Sequence, residues 1–353
     1  MQAIHLNGNT IEQLQLVEVD TPCAGPGQVL LRQYAVSLNY LDLAVASGAF
    51  GSGRYPLVPG ADSAGEIVAL GEGTDARWAV GDRVVVGSML RWQSGKLSPG
   101  AHADLRGVTV DGGLAEYAAV PAQALVAAPV HLNWQEAATL PIAATTAWNA
   151  IVKGKVRPGS VVLLLGTGGV SMFALQLAKA AGARVIITSS SHAKLDRARS
   201  LGADDVIHYG DTPAWDDKVL EITAGKGADL VLESVGAATF ARSLHAAAYG
   251  GTVFVIGFVG GASLQIPVLP IMQKTLAIIG NNTGSTADLQ DAVRAIIVAK
   301  IQPVIDRVFP LSCTQDAYRY LAGGQHVGKV VVDLACIENP AGAGCAGLSA
   351  AAP

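Results

Sequence analysis

The stretch "LLLGTGGVS", Leu163 to Ser171, sets Gly166, Gly168 and Gly169 at the end of an apolar run. Glycines so spaced suit a phosphate. One frees the backbone for a tight turn, and another lets it approach a pyrophosphate closely. A helix opened by that turn, at Gly169 and Val170, offers unpaired N–H groups and a partial positive charge to an anion. Ser171 stands where the simplest dinucleotide fingerprint has its third glycine, and serine is small enough for helix and strand to pack. About 20 residues further on, a site selective for a free ribose 2′-OH carries Asp or Glu. This chain reads "TSSSHAK" instead, with Ser189, Ser190 and Lys194. Two hydroxyls and a cation suit a 2′-phosphate, each charge-assisted hydrogen bond adding roughly 1.5–3 kcal/mol. These residues predict NADP(H) as the cofactor, with Tyr209 packing near its adenosine end. In the competing reading the serines only cap the helix that starts at His192.

Such residues need a strand–turn–helix frame, and from about Ser160 the chain supplies one. VVLLL (161–165), RVIIT (184–188), DVIHY (205–209), ADLVLESV (228–235), GTVFVIGF (251–258) and LAIIG (276–280) read as strands. Helical stretches at 170–182, 192–202, 215–224 and 238–247 separate them, which predicts a parallel, doubly wound sheet. Ile256, Gly257 and Phe258 close one such strand, where these sheets bind ligands, and their backbone groups are candidates to receive the cofactor's carboxamide. Residues 1 to about 130 have another texture, short β-like runs punctuated by Gly and Pro, which suits a small antiparallel barrel. Within it Arg91 to Gly107 reads as a surface loop. The expected division is an α/β fold with a barrel domain (1–130 and 286–336), a nucleotide domain (131–285) and an aperiodic, disordered tail (337–353).

Half of the 353 residues are hydrophobic, 15% are charged and the net charge is −4. A compact globular protein fits these values, and neither nucleic acid nor a membrane is expected as a partner. Gly, Pro or charges interrupt each apolar run before the ~20 residues a bilayer requires. The N-terminus has no basic-then-apolar leader, so a cytoplasmic location is expected. Cys23, Cys313, Cys336 and Cys345 form no C-x-x-C pair and are expected as unpaired thiols. The seven histidines show no metal-ligand spacing, and no metal is expected.

The motifs together resemble the medium-chain dehydrogenase/reductase superfamily, in its zinc-independent, quinone-oxidoreductase-like branch. "SLNYLDLAVASG" (37–48), "PLVPGADSAGEIVALGEG" (56–73), "VGDRV" (80–84), "GGLAEYAAVP" (112–121), "ATLPIAATTAWNAI" (138–151), "GTGGVS", "LGADDVIHYGD" (201–211) and "HVGKVVV" (326–332) carry the likeness. The resemblance implies a GroES-like barrel built from both chain ends, a Rossmann domain between them and an active-site cleft at their junction. It also implies a homodimer or homotetramer, with the strand GTVFVIGFVGG near the pairing edge.

In the zinc-bearing branch a Cys, a His and a Cys hold the catalytic metal; that frame falls here on Asn39, Ala61 and Ile142. Ala and Ile cannot bind a cation and Asn is a poor zinc ligand. Without a Lewis acid, a substrate that spreads the developing charge is favoured, which points to a quinone or an α,β-unsaturated carbonyl. By resemblance, Asn39 lines the nicotinamide side with an amide able to donate to substrate or ribose, Thr146 contacts the nicotinamide and Lys329 lies near the cofactor. Tyr40 is a candidate proton donor, although adjacent strand residues face opposite ways. Asp42 is expected to tie its loop. The leading expectation is thus an NADPH-dependent quinone or enone reductase. The alternatives are an NAD(P)-dependent alcohol dehydrogenase and a non-catalytic NADPH-binding protein.

Overall fold

The computed structural model describes residues 1–51 and 53–335. The chain divides into two compact units, Met1–Thr145 with the chain from Gly284, and Thr146–Thr283. The expected tail, 337–353, lies outside the described residues, as do Cys336 and Cys345.

In the first unit β1 (Gln2–Leu6) pairs antiparallel with β2 (Leu14–Glu18). The larger sheet contains β3 (Gln28–Leu38), β4 (Asp62–Leu70), β5 (Arg83–Val86), β6 (Tyr117–Pro121) and β7 (Leu125–Ala127). Two strands from the far end of the chain complete it, β14 (Ile305–Pro310) and β15 (Lys329–Asp333), in the order β14-β15-β3-β4-β5-β7 with β6 on β3. Burial alternates along the first half of β3, as a half-covered strand requires, and then becomes continuous from Ala35 to Leu38. β15 is buried throughout and runs antiparallel to β3, Val330 opposite Leu38. That register brings Lys329 beside the residues that follow β3.

Two expectations change here. Residues 131–145 belong to this unit and not to the nucleotide domain. The reason is packing: Trp134 stacks on Tyr34 of β3, ring centroids 4.5 Å apart, the Arg83 guanidinium lies over the Trp134 ring 4.2 Å from its centroid, and Gln135 donates to Asp333 at 2.7 Å. Arg91–Gly107 is no plain surface loop either. Trp92, Ala101 and Leu105 join the core, and Arg106 is fully buried.

The second unit is a six-stranded parallel sheet. It comprises β8 (Val161–Leu165), β9 (Arg184–Ser189), β10 (Asp205–His208), β11 (Ala228–Glu233), β12 (Ala247–Val255) and β13 (Ala277–Gly280), in the order β10-β9-β8-β11-β12-β13. The order reverses between β8 and β11, and that switch point is where doubly wound sheets bind ligands. Val162 to Leu165 are buried because helices cover both faces of such a sheet. The edge strands are β10 and β13, the latter with Ile278 exposed, whereas β12 is interior and pairs with both β11 and β13. The strand GTVFVIGFVGG therefore lies next to an edge of the sheet.

Cys313 corrects the expectation of unpaired thiols: it is disulfide-bonded, while Cys23 is free and exposed. Widely separated cysteines give no spacing signal for such a bond. Among the described residues no helix is long and apolar enough to cross a membrane.

Candidate active site

In the second unit β8 ends in the glycine turn. Gly166 has φ +80°, a conformation that L side chains rarely adopt, and its N–H donates to Thr188 O at 3.0 Å. The helix Gly169–Ala180 starts from Gly168, an extended residue with no side-chain cap. Its first-turn N–H groups, those of Gly169 and Val170 included, are left to an external acceptor. A Cβ on Gly166 or Gly168 would meet nothing within 4 Å, so the space in front of the turn is open to a ligand. Ser171 is buried, and its hydroxyl donates back to Leu165 O at 3.4 Å, which satisfies it without a third glycine. An open cradle over an uncapped helix start fits a dinucleotide pyrophosphate.

The three serines at the end of β9 divide their work. Ser191 caps the helix His192–Ser200, accepting from Lys194 N at 3.5 Å. Ser189 is buried, and its Oγ accepts from Ser191 N at 3.3 Å. Ser190 is exposed. The structure thus assigns the capping role to the one serine not counted as a cofactor ligand. It leaves Ser190 as a better placed candidate than Ser189, with Lys194 in the next turn. Tyr209, half exposed after β10, donates its N–H to Ser189 O at 3.1 Å, so it shares the end of these two strands.

After β12, Ile256 N donates to Glu233 O at 2.9 Å. Gly257 lies so close to the neighbouring strand's exit that a Cβ would stand 1.9 Å from Ser234 O, and Phe258 is exposed beyond it. Glu233 was not singled out in the sequence. It is fully buried at the end of β11 and gathers that turn: Val235 N (2.8 Å), Gly236 N (2.9 Å) and the Thr239 hydroxyl (2.8 Å) donate to Oε1, and the Ser243 hydroxyl (2.5 Å) to Oε2. A carboxylate closing the apolar run Leu230–Leu232 was the available signal. Thr146 begins this unit, buried in the helix Thr145–Lys153.

In the first unit Asn39 follows β3 and caps the helix Tyr40–Ala46. Tyr40 is therefore a helix residue, half exposed, and the strand argument against it does not apply. Asp42 ties the region as expected: one oxygen accepts from Asn39 N at 2.7 Å and the other from Ala61 N at 3.1 Å. Lys329, although only 3% exposed, donates from Nζ to Asn39 Oδ1 at 2.6 Å and to Leu38 O at 2.7 Å. Asn39 Nδ2 donates to Asp62 Oδ2 at 2.9 Å and to Ser37 O at 3.3 Å. Lys329 Nζ and Asp62 Oδ2 are 3.9 Å apart. The Asn39 amide thus spends both N–H groups inside the protein and is not free to donate to substrate or ribose as expected. Its role here is to join a buried lysine to a buried aspartate.

The electrostatics follow from burial. Asp62 is fully buried, and desolvation drives its carboxyl up to about 7 against the pull of Lys329 and the Asn39 hydrogen bond. Its Oδ1 has no hydrogen-bond partner among the described residues. Burial also raises the Asp42 carboxyl and lowers the Lys329 ammonium, the latter opposed by the charges of Asp62 and Asp42. The adjoining Ser63 accepts from Arg106 at 2.6 Å, and Gln33 Oε1 accepts from the same guanidinium at 2.5 Å. Burial brings that guanidinium down to about 10, opposed by Asp62. Arg106 and Asp62 were missed as members of a site because their partners lie far off in sequence.

Asn39, Ala61 and Ile142 do not fit a zinc ion. The only ligand among them is an amide whose oxygen already holds an ammonium, and Asp62 already has that cation for company.

Two family descriptions match the chain: "Alcohol dehydrogenase GroES-like domain" over residues 25–130 and "Zinc-binding dehydrogenase" over residues 169–297. A zinc-type alcohol dehydrogenase-like protein of Schizosaccharomyces pombe is 40% identical over 340 residues, 94% of this chain and 98% of that one. The chain belongs to the medium-chain dehydrogenase/reductase superfamily. Further superfamily members include a crotonyl-CoA reductase of Streptomyces collinus, 30% identical over 91% of this chain and 81% of that one. A solved NAD-dependent alcohol dehydrogenase superposes with TM-score 0.85 at 33% identity, covering 95% of this chain and 100% of that one. Membership makes the protein a nicotinamide-dependent oxidoreductase and removes the ground for a non-catalytic reading. The description of the family names zinc, but the zinc frame in this member does not carry the ligands.

Proposed function

We propose that the protein is an NADPH-dependent, metal-independent reductase of quinones or α,β-unsaturated carbonyls. The observation that carries this reading is the contact of Lys329 with Asn39 beside Asp62, which puts an ammonium and an amide where a metal frame would stand. A zinc-activated alcohol chemistry has no ligand set there. A conjugate acceptor needs less: hydride addition leaves an enolate or hydroquinone anion whose charge is delocalised and which hydrogen-bond donors stabilise. When bound, the nicotinamide supplies the hydride.

The chain's own residues bind and orient. The open turn at Gly166 and Gly168 and the helix start at Gly169 and Val170 receive the pyrophosphate. Ser190 and Lys194, with Ser189 and Tyr209 beside them, receive the 2′-phosphate end. Ile256, Gly257 and Phe258 present backbone groups to the carboxamide, the Thr146 hydroxyl faces the nicotinamide, and Lys329 fixes Asn39. No side chain is assigned as the proton donor: Tyr40 remains a candidate and water is the alternative. The exposed apolar residues Val268, Leu269, Met272 and Ile278, close to the open β13 edge, support self-association as a homodimer or homotetramer.

The test is oxidation of NADPH and NADH by chelator-stripped enzyme against enones, quinones, simple ketones and, in reverse, alcohols. Turnover of the conjugate acceptors with NADPH, undiminished by chelation, is expected. Zinc-dependent alcohol oxidation, lost on chelation and restored by zinc, would replace this reading with the alcohol dehydrogenase one.

A further inference from the structure

Glu233 is a fully buried carboxylate in the second unit to which no step of hydride transfer has been given. Its main chain and its side chain hold two different turns. Glu233 O accepts from Ile256 N at 2.9 Å, which fixes the exit of β12. Glu233 Oε1 accepts from Val235 N, Gly236 N and the Thr239 hydroxyl, which fixes the exit of β11. The two turns then lock to each other. Gly260 N donates to Val235 O at 2.7 Å, and Ala237 N donates to Gly261 O at 3.0 Å. Gly236, at φ +95°, is packed so closely that a Cβ would stand 2.6 Å from Gly261 O and 3.0 Å from Phe258 Cα. The β11 exit also reaches the end of β8: the Ser234 hydroxyl donates to Leu165 O at 2.7 Å, immediately before Gly166.

A carboxylate has lone pairs enough for these donors and for the Ser243 hydroxyl on Oε2, whereas an amide oxygen in place of Oε1 has two lone pairs for three donors. Burying a carboxylate is costly. What this one secures, through both of its turns, is the backbone of Ile256, Gly257 and Phe258. We propose that Glu233 is a positioning residue for the nicotinamide end of the cofactor: it joins the exits of β11 and β12 and so sets where Ile256, Gly257 and Phe258 meet the carboxamide. The proposal rests on the reading above that these backbone groups receive the carboxamide. Glu233 acts only through the two turns. The adenosine end, at Ser190, Lys194 and Tyr209, does not depend on it.

The test uses the full chain and two ligand pairs, NADPH with 2′-phospho-ADP-ribose and NADH with ADP-ribose, titrated by calorimetry. The members of a pair differ only in the nicotinamide, so their affinity ratio isolates that end whichever coenzyme is preferred. Glu233→Gln keeps the shape but cannot hold every donor; it should weaken the nicotinamide-bearing member about tenfold and leave the other within about twofold. Thr239→Val removes one donor from Oε1 and should show the same selective loss to a smaller degree; it decides the matter if Glu233→Gln does not fold. Ser243→Ala controls for stability alone. It takes the donor from Oε2, which should lower the thermal midpoint, and leaves the three donors on Oε1, so the ratio should hold. Selective loss in neither Glu233→Gln nor Thr239→Val overturns the proposal and leaves the cofactor reading standing. An equal selective loss in Ser243→Ala would assign the effect to stability and overturns it too. A parent chain that binds neither pair overturns the cofactor reading, and this proposal with it.

Discussion

The glycine turn after β8 and the buried cluster around Asn39 are built on opposite plans. The turn works through backbone: Gly166 takes a conformation closed to most residues, and the space before Gly168 stays open. Its features are contiguous in the chain. The cluster works through charge: Asp42, Asp62 and Lys329 are all nearly inaccessible, and the lysine comes to Asn39 from 290 residues away. A backbone site is cheap to form and tolerant of solvent. A buried ion cluster is costly to desolvate, so removing one member exposes the whole cost. The comparison teaches that the first unit is the one whose stability should follow pH.

The largest effect expected is that of Lys329→Met. It leaves Asp42 and Asp62 buried without their cation and should cost about 3–5 kcal/mol at pH 8. At pH 5 the loss should be smaller, because Asp62, which titrates near 7 in the folded chain, can take up a proton. The sign in the parent protein can be stated too. Asp ionises near 3.9 when unfolded, so between about 4 and 7 the folded state holds a proton the unfolded state has lost. The Asp62 contribution to stability therefore falls as pH rises through that window and levels off above it; Asp62→Asn should flatten this slope. Urea unfolding across pH checks both. Equal losses for Lys329→Met at pH 5 and pH 8 would show that the cluster is not governed by charge, and the contrast between the two regions would fail.

Next in size is a change of cofactor preference. Ser190→Asp places a carboxylate where the 2′-phosphate is proposed to lie and should weaken NADPH binding about ten- to a hundredfold while sparing NADH. Fluorescence titration with both nucleotides measures this, and equal loss of both would detach Ser190 from phosphate recognition. A smaller effect separates the two glycines. Gly166→Ala forces a left-handed alanine and should cost about 1–2 kcal/mol in stability. Gly168→Ala has ordinary φ and open space around its Cβ, so stability should hold while dinucleotide affinity drops. Unchanged affinity in Gly168→Ala would mean that the open space is not where the pyrophosphate rests.

What was legible in the sequence follows the same line. Strand and helix textures announced the six parallel strands and the glycine turn, because their signals are local. The family motifs reached across both units for the same reason. The network of Asn39 was not legible. Asn39 and Lys329 were each visible singly, yet nothing local says that an amide will be used up by a lysine from the last strand and by Asp62. Arg106 was hidden by its setting, a polar Gly/Pro-bearing stretch that reads as solvated surface although its guanidinium is buried on Ser63 and Gln33. The joining of the turns after β11 and β12 depends on those strands lying side by side, which only the sheet order reveals.

The limit of residues 131–145 offers the finest distinction between the two units. The expected division gave this segment to the nucleotide domain, whereas its aromatic stacking and hydrogen bonds give it to the barrel sheet. Asn133 and Glu136 close the start of the helix Trp134–Ala138 on each other: Glu136 N donates to Asn133 Oδ1 at 2.8 Å, and Asn133 N to Glu136 Oε2 at 2.8 Å. Asn133→Ala removes the cap and should cost about 1 kcal/mol. If the helix belongs to the first unit, the loss should appear as faster amide exchange in β3 and β4 and leave β8 to β12 as protected as before. Exchange that quickens in β8 to β12 instead would return the segment to the nucleotide domain, because a local loss of stability spreads first through the cooperative unit that contains it.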